Sequence, residues 1–189
     1  QEDTILDFPE TRKIFAPNSE VLKLGDVLVQ KDLASTLRLV AREGKEGFYR
    51  NRTAAGILKT IKKYGGVMSR GDLDSYEVKW RKPISGMYKG NRILSMPPPS
   101  SGGVHIIQIL NTIEDDDLGE YGVHHPYSMH LMSASMQQAF ADRAKHLGDS
   151  DFVSVPLKEL ASEEYAEKVR QNIPDDRALS SSKVKAGDF

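Results

Sequence analysis

Residues 95–103 read Ser95-Met96-Pro97-Pro98-Pro99-Ser100-Ser101-Gly102-Gly103, and this stretch determines how the strands and helices around it are joined. Three consecutive prolines have restricted φ angles and lack backbone N–H groups, so they predict a stiff, extended segment. The two glycines that follow tolerate backbone angles that other residues avoid. The sequence therefore predicts that a strand leads into this segment and that a helix begins directly after it.

The flanking residues support this interpretation. Before the loop, polar and apolar residues alternate over 77–84 and 87–96, which predicts two strands with turns at Gly86 and at 89–91. After the loop, apolar residues recur at helical spacing and form the predicted inner face of a helix. These residues are Val104, Ile107, Leu110 and Ile113.

Helical spacing predicts four further helices, over about 31–42, 53–64, 126–147 and 156–172. Gly44 and Gly65 are suited to end the first two, and 69–72 has the pattern of a capping box. The predicted inner residues of these two helices are Leu33, Leu37, Val40, Ala41, Ile57, Leu58 and Ile61.

The helix over 126–147 carries a methionine stripe, Met129, Met132 and Met136, which continues to Phe140. We interpret this stripe as core packing.

Beyond Pro174 the chain is polar, so residues 175–189 are predicted to form a flexible tail. Together these patterns predict a helix-rich α+β fold in which residues 1–189 are a single domain or a fragment of one.

Charge and cysteine content exclude several classes of protein. The chain has 189 residues with 26 basic and 27 acidic side chains, which is too balanced for a dedicated nucleic-acid binder. Basic residues are concentrated in 50–92, which we interpret as a solvated face, with polyanion binding as the alternative. The absence of cysteine excludes disulfides, thiolate metal sites and a cysteine nucleophile. Apolar runs are short, so no membrane span is predicted.

The 97–103 loop is the first candidate for a functional role. Ser100, Ser101, Gly102 and Gly103 would place two hydroxyls and backbone N–H groups at a helix N-terminus, an arrangement that suits an anion or an oxyanion. The alternative is a rigid connector whose serines cap the helix.

The histidines and charged residues of the later helices have ordinary interpretations. His124, His125 and His130 lack the spacing of a metal site, so neither a metal nor another cofactor is predicted. Asp142 and Arg143 are interpreted as part of a charged network that pins the helix end to its neighbours. Alternatively, Arg143 could bind a carboxylate in bidentate fashion.

The order of several motifs resembles the γ-glutamyltranspeptidase family over essentially the whole chain from about Phe8, and the part matched is the C-terminal half of the large subunit. The most specific motifs are the 95–103 stretch and the pairing of Ala141-Asp142-Arg143 with Leu147-Gly148-Asp149. Ser150 stands where the family usually has proline, which affects one turn. The remaining matches are 25–34, 47–49, 65–66, 72–76, 83–90 and 151–152.

This resemblance implies a fold and a reaction. Members of the family are N-terminal-nucleophile hydrolases with an αββα sandwich, of which this chain would form a part. A precursor cleaves itself, and a threonine becomes the first residue of a small subunit. Its hydroxyl attacks a γ-glutamyl amide, such as that of glutathione, and its own α-amine serves as the base.

The resemblance also implies which parts are missing. The family's threonine follows the segment that residues 185–189 resemble, and its arginine for the substrate α-carboxylate precedes Gln1. No catalytic residue is therefore assigned to this chain, which alone is expected to be inactive. Ser100, Ser101, Gly102 and Gly103 are expected to line the pocket as scaffold. The implied partners are the small subunit, the N-terminal half of the large subunit and a small γ-glutamyl substrate.

Three alternative functions are also compatible with the sequence. A family variant could act on glutaryl-cephalosporins or poly-γ-glutamate, because the residues that recognise the acyl group lie outside this chain. The chain could instead be a non-catalytic binding module or a purely structural helical domain. The family resemblance also implies a periplasmic or secreted bacterial protein, with which the lack of cysteine is compatible.

Overall fold

The computed structural model describes residues 2–122 and 124–189. The chain divides into two compact units, Gln1–Val78 and Lys79–Phe189. In the described residues no helix has both the length and the apolar character that a membrane span requires.

The first unit is helical. Its helices 31–42 and 53–64 are confirmed within two residues, and a capping box between Ser69 and Asp72 is present as predicted. The helices are α1 (Glu2–Asp7), α2 (Pro9–Phe15), α3 (Lys31–Glu43), α4 (Lys45–Tyr49), α5 (Arg52–Lys63) and α6 (Arg70–Asp74).

The predicted inner face of α3 is wrong in part. Leu39 is buried, whereas Leu33 and Leu37 are 48% and 58% exposed. The reason is the sharp joint with α4, where Gly44 has a φ of 60°. An added Cβ at Gly47 would lie 2.7 Å from the carbonyl oxygen of Leu39, so α4 contacts α3 on its Leu39 side.

The second unit begins with a two-stranded antiparallel sheet of β1 (Ile84–Tyr88) and β2 (Asn91–Ser95). The turn at Lys89 and Gly90 is confirmed, and both residues have positive φ, as a two-residue hairpin loop requires.

The predicted strand over 77–84 and the turn at Gly86 are wrong. The strand begins only at Ile84, and Gly86 lies in its middle, paired with Ile93. A Cβ at Gly86 would come within 2.7 Å of Ile107 Cγ2, so this glycine permits close packing of the strand on the following helix.

The helices of the second unit surround α7 (Gly102–Thr112), which packs against both strands, α9 and α11. The predicted inner face of α7 is confirmed for Val104, Ile107 and Ile113, which are at most 3% exposed. A core cluster of Ile113, Leu131, Val169 and Ile173 joins these helices. The remaining helices are α8 (Leu118–Tyr121), α9 (Pro126–His146), α10 (Leu157–Leu160) and α11 (Glu163–Gln171).

The interpretation of the α9 methionine stripe as core packing is wrong. Met129, Met132, Met136 and Phe140 are between 44% and 57% exposed. Apart from Leu131, the buried face of α9 is formed by small or polar residues, which allow the helix to approach its neighbours closely. These buried residues are Ser128, Leu131, Ser135, Ala139 and Asp142.

Candidate functional site

The 97–103 loop folds back tightly onto the strand that precedes it. Gly103 is buried, and a Cβ at this position would lie 2.0 Å from the carbonyl oxygen of Met96 and 2.7 Å from Ile84 Cγ2. Only glycine fits this contact, so Gly103 fixes the position at which α7 begins beside the sheet.

The two serines of the loop have different roles. The Ser100 hydroxyl accepts a hydrogen bond from the Gly102 N–H at 3.3 Å, whereas the Ser101 side chain makes no capping bond at its N-cap position. Capping therefore applies to Ser100 only. Both serines are half-buried and Gly102 is exposed, so the four candidate residues lie together at the α7 N-terminus. Their role in a pocket wall stays a prediction.

Two turns further along α7, Gln108 reaches a buried carboxylate. Asp142 on α9 is fully buried and accepts a hydrogen bond from Gln108 Nε2 at its Oδ2. Tyr165 on α11 donates its hydroxyl to the same oxygen at 2.8 Å. The other oxygen, Oδ1, accepts from Gln138 Nε2 at 3.0 Å and from the Gly187 N–H at 2.8 Å. We call these five residues the Asp142 cluster.

The Asp142 cluster is a network of neutral donors around one carboxylate. A carboxylate offers about four lone-pair sites, and the four donors fill them. The predicted charged network at Asp142 is thus corrected: the residue does pin the helix end to its neighbours, but through neutral partners. Burial, together with the bond to Asp142, raises the pKa of the Tyr165 hydroxyl, so Tyr165 stays a donor.

The Asp142 cluster also holds the last residues of the chain. Lys145 Nζ donates to the Gly187 carbonyl at 3.2 Å and pairs with Asp188, and His146 Nε2 donates to the same carbonyl at 2.7 Å. Gln138 Nε2 donates to the Lys185 carbonyl at 2.9 Å. The predicted flexibility of 175–189 stays a prediction, but these contacts attach its final residues to α9.

His105, on the same face of α7 as Gln108, is only 7% exposed. Burial and the nearby Arg143 lower the pKa of its imidazole, although Asp142 opposes this effect. Within the described residues, its Nε2 atom has no hydrogen-bond partner.

Two further histidines make structural hydrogen bonds to the backbone. His125 Nδ1 accepts from the Tyr127 N–H at 3.2 Å, and His130 Nε2 donates to the Pro174 carbonyl at 2.6 Å. Among residues 2–122 and 124–189, no group of three or more His, Asp or Glu side chains has a geometry that could hold a metal ion.

Several ion pairs fasten the loops of the second unit. Arg170 on α11 binds Asp116 with two hydrogen bonds, of 2.8 and 3.0 Å, and also reaches Asp175 at 3.0 Å. These bonds raise the pKa of Arg170. Arg81, from the basic stretch 50–92, pairs with Asp151 at 2.6 Å, which favours a structural role for part of that stretch.

Sequence reasoning had no means of identifying most of the Asp142 cluster. Its members are separated by up to 79 positions, from Gln108 to Gly187, and an aspartate on a helix is usually exposed. The one available signal was Gln138, which stands four residues before Asp142 and therefore on the same face of α9.

The chain is similar to known proteins over almost its whole length. A family model described as gamma-glutamyltranspeptidase matches residues 1–188. The chain is 41% identical to the glutathione hydrolase proenzyme of Escherichia coli K12, over 94% of this chain and 30% of that protein. It is 37% identical to the Acylase ACY 1 proenzyme of Pseudomonas sp. strain V22, over 91% of this chain and 31% of that protein.

A solved structure agrees with these matches. The crystal structure of Helicobacter pylori gamma-glutamyltranspeptidase superimposes with a TM-score of 0.86 at 44% identity, over 98% of this chain and 53% of that one. The predicted fold class, a helix-rich part of an N-terminal-nucleophile hydrolase, is thereby confirmed. The chain spans about 30% of the length of the curated relatives named above. On these grounds the chain belongs to the γ-glutamyltranspeptidase family.

Proposed function

We propose that this chain is the C-terminal half of the large subunit of a γ-glutamyl transferase or glutathione hydrolase. The observation that carries the proposal is the family match over residues 1–188, together with relatives named glutathione hydrolase at up to 41% identity. The nucleophile in this proposal is a threonine on a small subunit, outside these 189 residues. The chain itself serves as scaffold and pocket wall and has no turnover alone.

The exposed apolar face of α9 supports a role as part of a larger molecule. Four apolar side chains form a solvent-exposed stripe on this helix: Met129, Met132, Met136 and Phe140. An exposed apolar patch of this kind marks a surface that contacts another part of a protein. We infer that the rest of the family's precursor, the N-terminal half of the large subunit and the small subunit, covers this stripe.

The 97–103 loop is the part of this chain that we place in the pocket wall. Gly103 fixes the loop against Met96 and Ile84, so Ser100, Ser101 and Gly102 stand on a rigid support at a helix N-terminus. Such a support can present hydroxyls and N–H groups to an anionic part of a γ-glutamyl substrate.

A second candidate function is an acylase of the same family. The 37% identity to the Acylase ACY 1 proenzyme favours it, because relatives with different names match this region almost equally well. Since the acyl-recognising residues lie outside the chain, the region common to both cannot distinguish γ-glutamyl from glutaryl substrates.

The test requires the full precursor encoded by the gene that contains this chain. After purification, we expect two chains on a denaturing gel and hydrolysis of γ-glutamyl-p-nitroanilide. The separate 189-residue chain is expected to show no hydrolysis. Turnover of a glutaryl amide in place of the γ-glutamyl anilide would identify the acylase instead, and turnover by the 189-residue chain would contradict the scaffold role.

We further infer a periplasmic or secreted location. The inference rests on the bacterial relatives of the family. Fractionation of cells that express the tagged precursor, with a cytoplasmic marker enzyme as control, tests it. Recovery of the protein with the cytoplasmic marker would contradict it.

A further inference from the structure

Residues 185–189 lie against the C-terminal end of α9, far along the sequence from the core that they contact. Their backbone is bound at three points: the Lys185 carbonyl by Gln138, the Gly187 N–H by Asp142, and the Gly187 carbonyl by Lys145 and His146. Recognition through the backbone fixes the path of a segment, whatever its side chains are.

Aromatic packing reinforces the same path. The ring of Phe189 lies 4.8 Å from that of Tyr165 in an edge-to-face arrangement and 5.0 Å from that of His146. At Gly187 an added Cβ would come within 2.7 Å of the Tyr165 hydroxyl oxygen, so the backbone passes directly over this side chain. Glycine is therefore the residue that lets the segment reach Asp142.

Asp142 joins this segment to the core through its two oxygens. Oδ2 accepts from Gln108 and Tyr165, which belong to α7 and α11, whereas Oδ1 accepts from Gln138 and Gly187. Oδ2 thus binds α7 and α11, and Oδ1 binds the segment together with Gln138 of α9. Because Asp142 is fully buried, loss of either set would leave polar groups without partners.

We propose that Asp142 is a positioning residue for self-cleavage of the precursor, which acts by fixing Gly187 and thus the path of the chain that continues beyond Phe189. This inference rests on the proposed function. In the cleavage, the threonine hydroxyl adds to the preceding carbonyl carbon, the C–N bond breaks and the threonine nitrogen takes the proton. Water then hydrolyses the ester, which releases a carboxylic acid and the free hydroxyl.

Geometry is the reason why such positioning matters. An intramolecular attack is fast only when the reacting atoms are held close together in the correct orientation. A segment bound at three backbone points and one aromatic ring leaves fewer conformations to the residues that follow. In this proposal Asp142 acts only through Gly187, so its effect should appear in the cleavage rate and not in the chemistry of the cleaved enzyme.

The experiment compares full precursors that carry Asp142→Asn, Gly187→Ala, Lys145→Ala or Lys145→Arg with the wild type. Three quantities are measured: the half-time of cleavage on a denaturing gel, the kcat for γ-glutamyl-p-nitroanilide per cleaved molecule, and the melting temperature of the uncleaved protein. Lys59→Ala, at an exposed position on α5, is the matched control for loss of one lysine.

We expect Asp142→Asn and Gly187→Ala to slow cleavage about ten-fold, which corresponds to about 1.4 kcal/mol of activation free energy. Lys145→Ala should slow it about three-fold because its contacts are partly exposed, and Lys145→Arg should restore the rate toward that of the wild type. Lys59→Ala should cleave at the wild-type rate. The kcat per cleaved molecule should change in none of them.

The outcomes separate the two proposals. If the wild type is cleaved and active, but Gly187→Ala and Lys145→Ala are cleaved at its rate, the role of Asp142 is wrong and the proposed function stands. The role of Asp142 is also wrong if cleavage slows only in proportion to a loss of melting temperature. If Asp142→Asn does not fold, the cleavage half-times of Gly187→Ala and Lys145→Ala test the proposal in its place. A wild-type precursor that is neither cleaved nor active overturns the proposed function and this inference together.

Discussion

Gly103 shows how one residue can hold a loop in place. Its backbone angles are open to any residue, so the constraint is the space taken by Met96 and Ile84. Its neighbour Gly102 is exposed. A Cβ added there would lie 3.6 Å from Ser100 Oγ, which is an ordinary van der Waals contact. The two glycines are adjacent in sequence but differ in the room around them.

This difference makes a matched pair of variants. Gly103→Ala should lower the free energy of unfolding by about 2 kcal/mol or more, because the added methyl overlaps backbone atoms that cannot move. Gly102→Ala should change it by less than about 0.5 kcal/mol. Urea titration of both variants measures the difference, and equal stabilities would show that the loop is not packed as described.

His105 predicts a dependence of stability on pH. The pKa of the imidazole is lowered in the folded chain, mainly by burial. As the pH falls through about 6.5, His105 therefore binds a proton in the unfolded chain while it is still neutral in the folded chain. Stability from this residue is thus fully present above about pH 6.5 and falls as the pH drops toward the folded pKa. Besides Arg143, the charged group that faces the ring is Asp142, which acts in the opposite direction.

His105→Gln is the corresponding test. The variant cannot take up this proton, so its free energy of unfolding should fall less than that of the wild type between about pH 7.5 and about pH 5.5. Urea titrations at both pH values give the comparison. A variant with the same loss as the wild type would assign the pH dependence to other groups.

At the scale of elements, Arg170 is the residue through which α11 holds the loop after α7. Arg170→Ala would leave Asp116, whose side chain is 14% exposed, without its bidentate partner. We expect a loss of about 2 kcal/mol in the free energy of unfolding. Arg177, 70% exposed in its pair with Asp176, provides the control, and Arg177→Ala should cost less than about 0.5 kcal/mol. Equal losses in the two variants would contradict the structural role of Arg170.

The helices were predictable from the sequence, whereas the burial of their faces was not. Spacing located α3, α5, α7 and α9 to within a few residues, since helical periodicity is a local property. For α9 it selected the methionine face, because the alternative face contains serines and Asp142. That polar face is buried only because Gln108, Tyr165 and Gly187, from distant parts of the chain, satisfy its carboxylate.

Contacts between distant parts of the chain also explain why the strands and the candidate site were only partly predictable from the sequence. Gly86 was interpreted as a turn because glycine usually marks one, but here it makes room for Ile107 on a helix that follows later in the sequence. The 97–103 loop was found because its composition is itself unusual, so a local signal existed. In the Asp142 cluster only the Gln138–Asp142 spacing is a local signal, and the other members are brought together by three-dimensional contacts.

At the scale of the whole molecule, the exposed stripe on α9 should make the isolated chain associate. Met132, Met136 and Phe140 are each more than 40% exposed and follow one another at helical spacing. An apolar patch of this kind promotes contacts between molecules. Met136→Lys interrupts the patch with a charge, and Gln171→Lys places the same charge at an exposed polar position of α11, outside the stripe.

In sedimentation experiments we therefore expect the wild-type 189-residue chain and Gln171→Lys to form oligomers at concentrations where Met136→Lys is monomeric. In the full precursor the effect should be reversed, because a lysine buried against the rest of the protein is costly. Met136→Lys should then lower the yield of folded, active enzyme, and Gln171→Lys should leave it near that of the wild type. A precursor that tolerates Met136→Lys would contradict the proposal that the rest of the precursor covers the stripe.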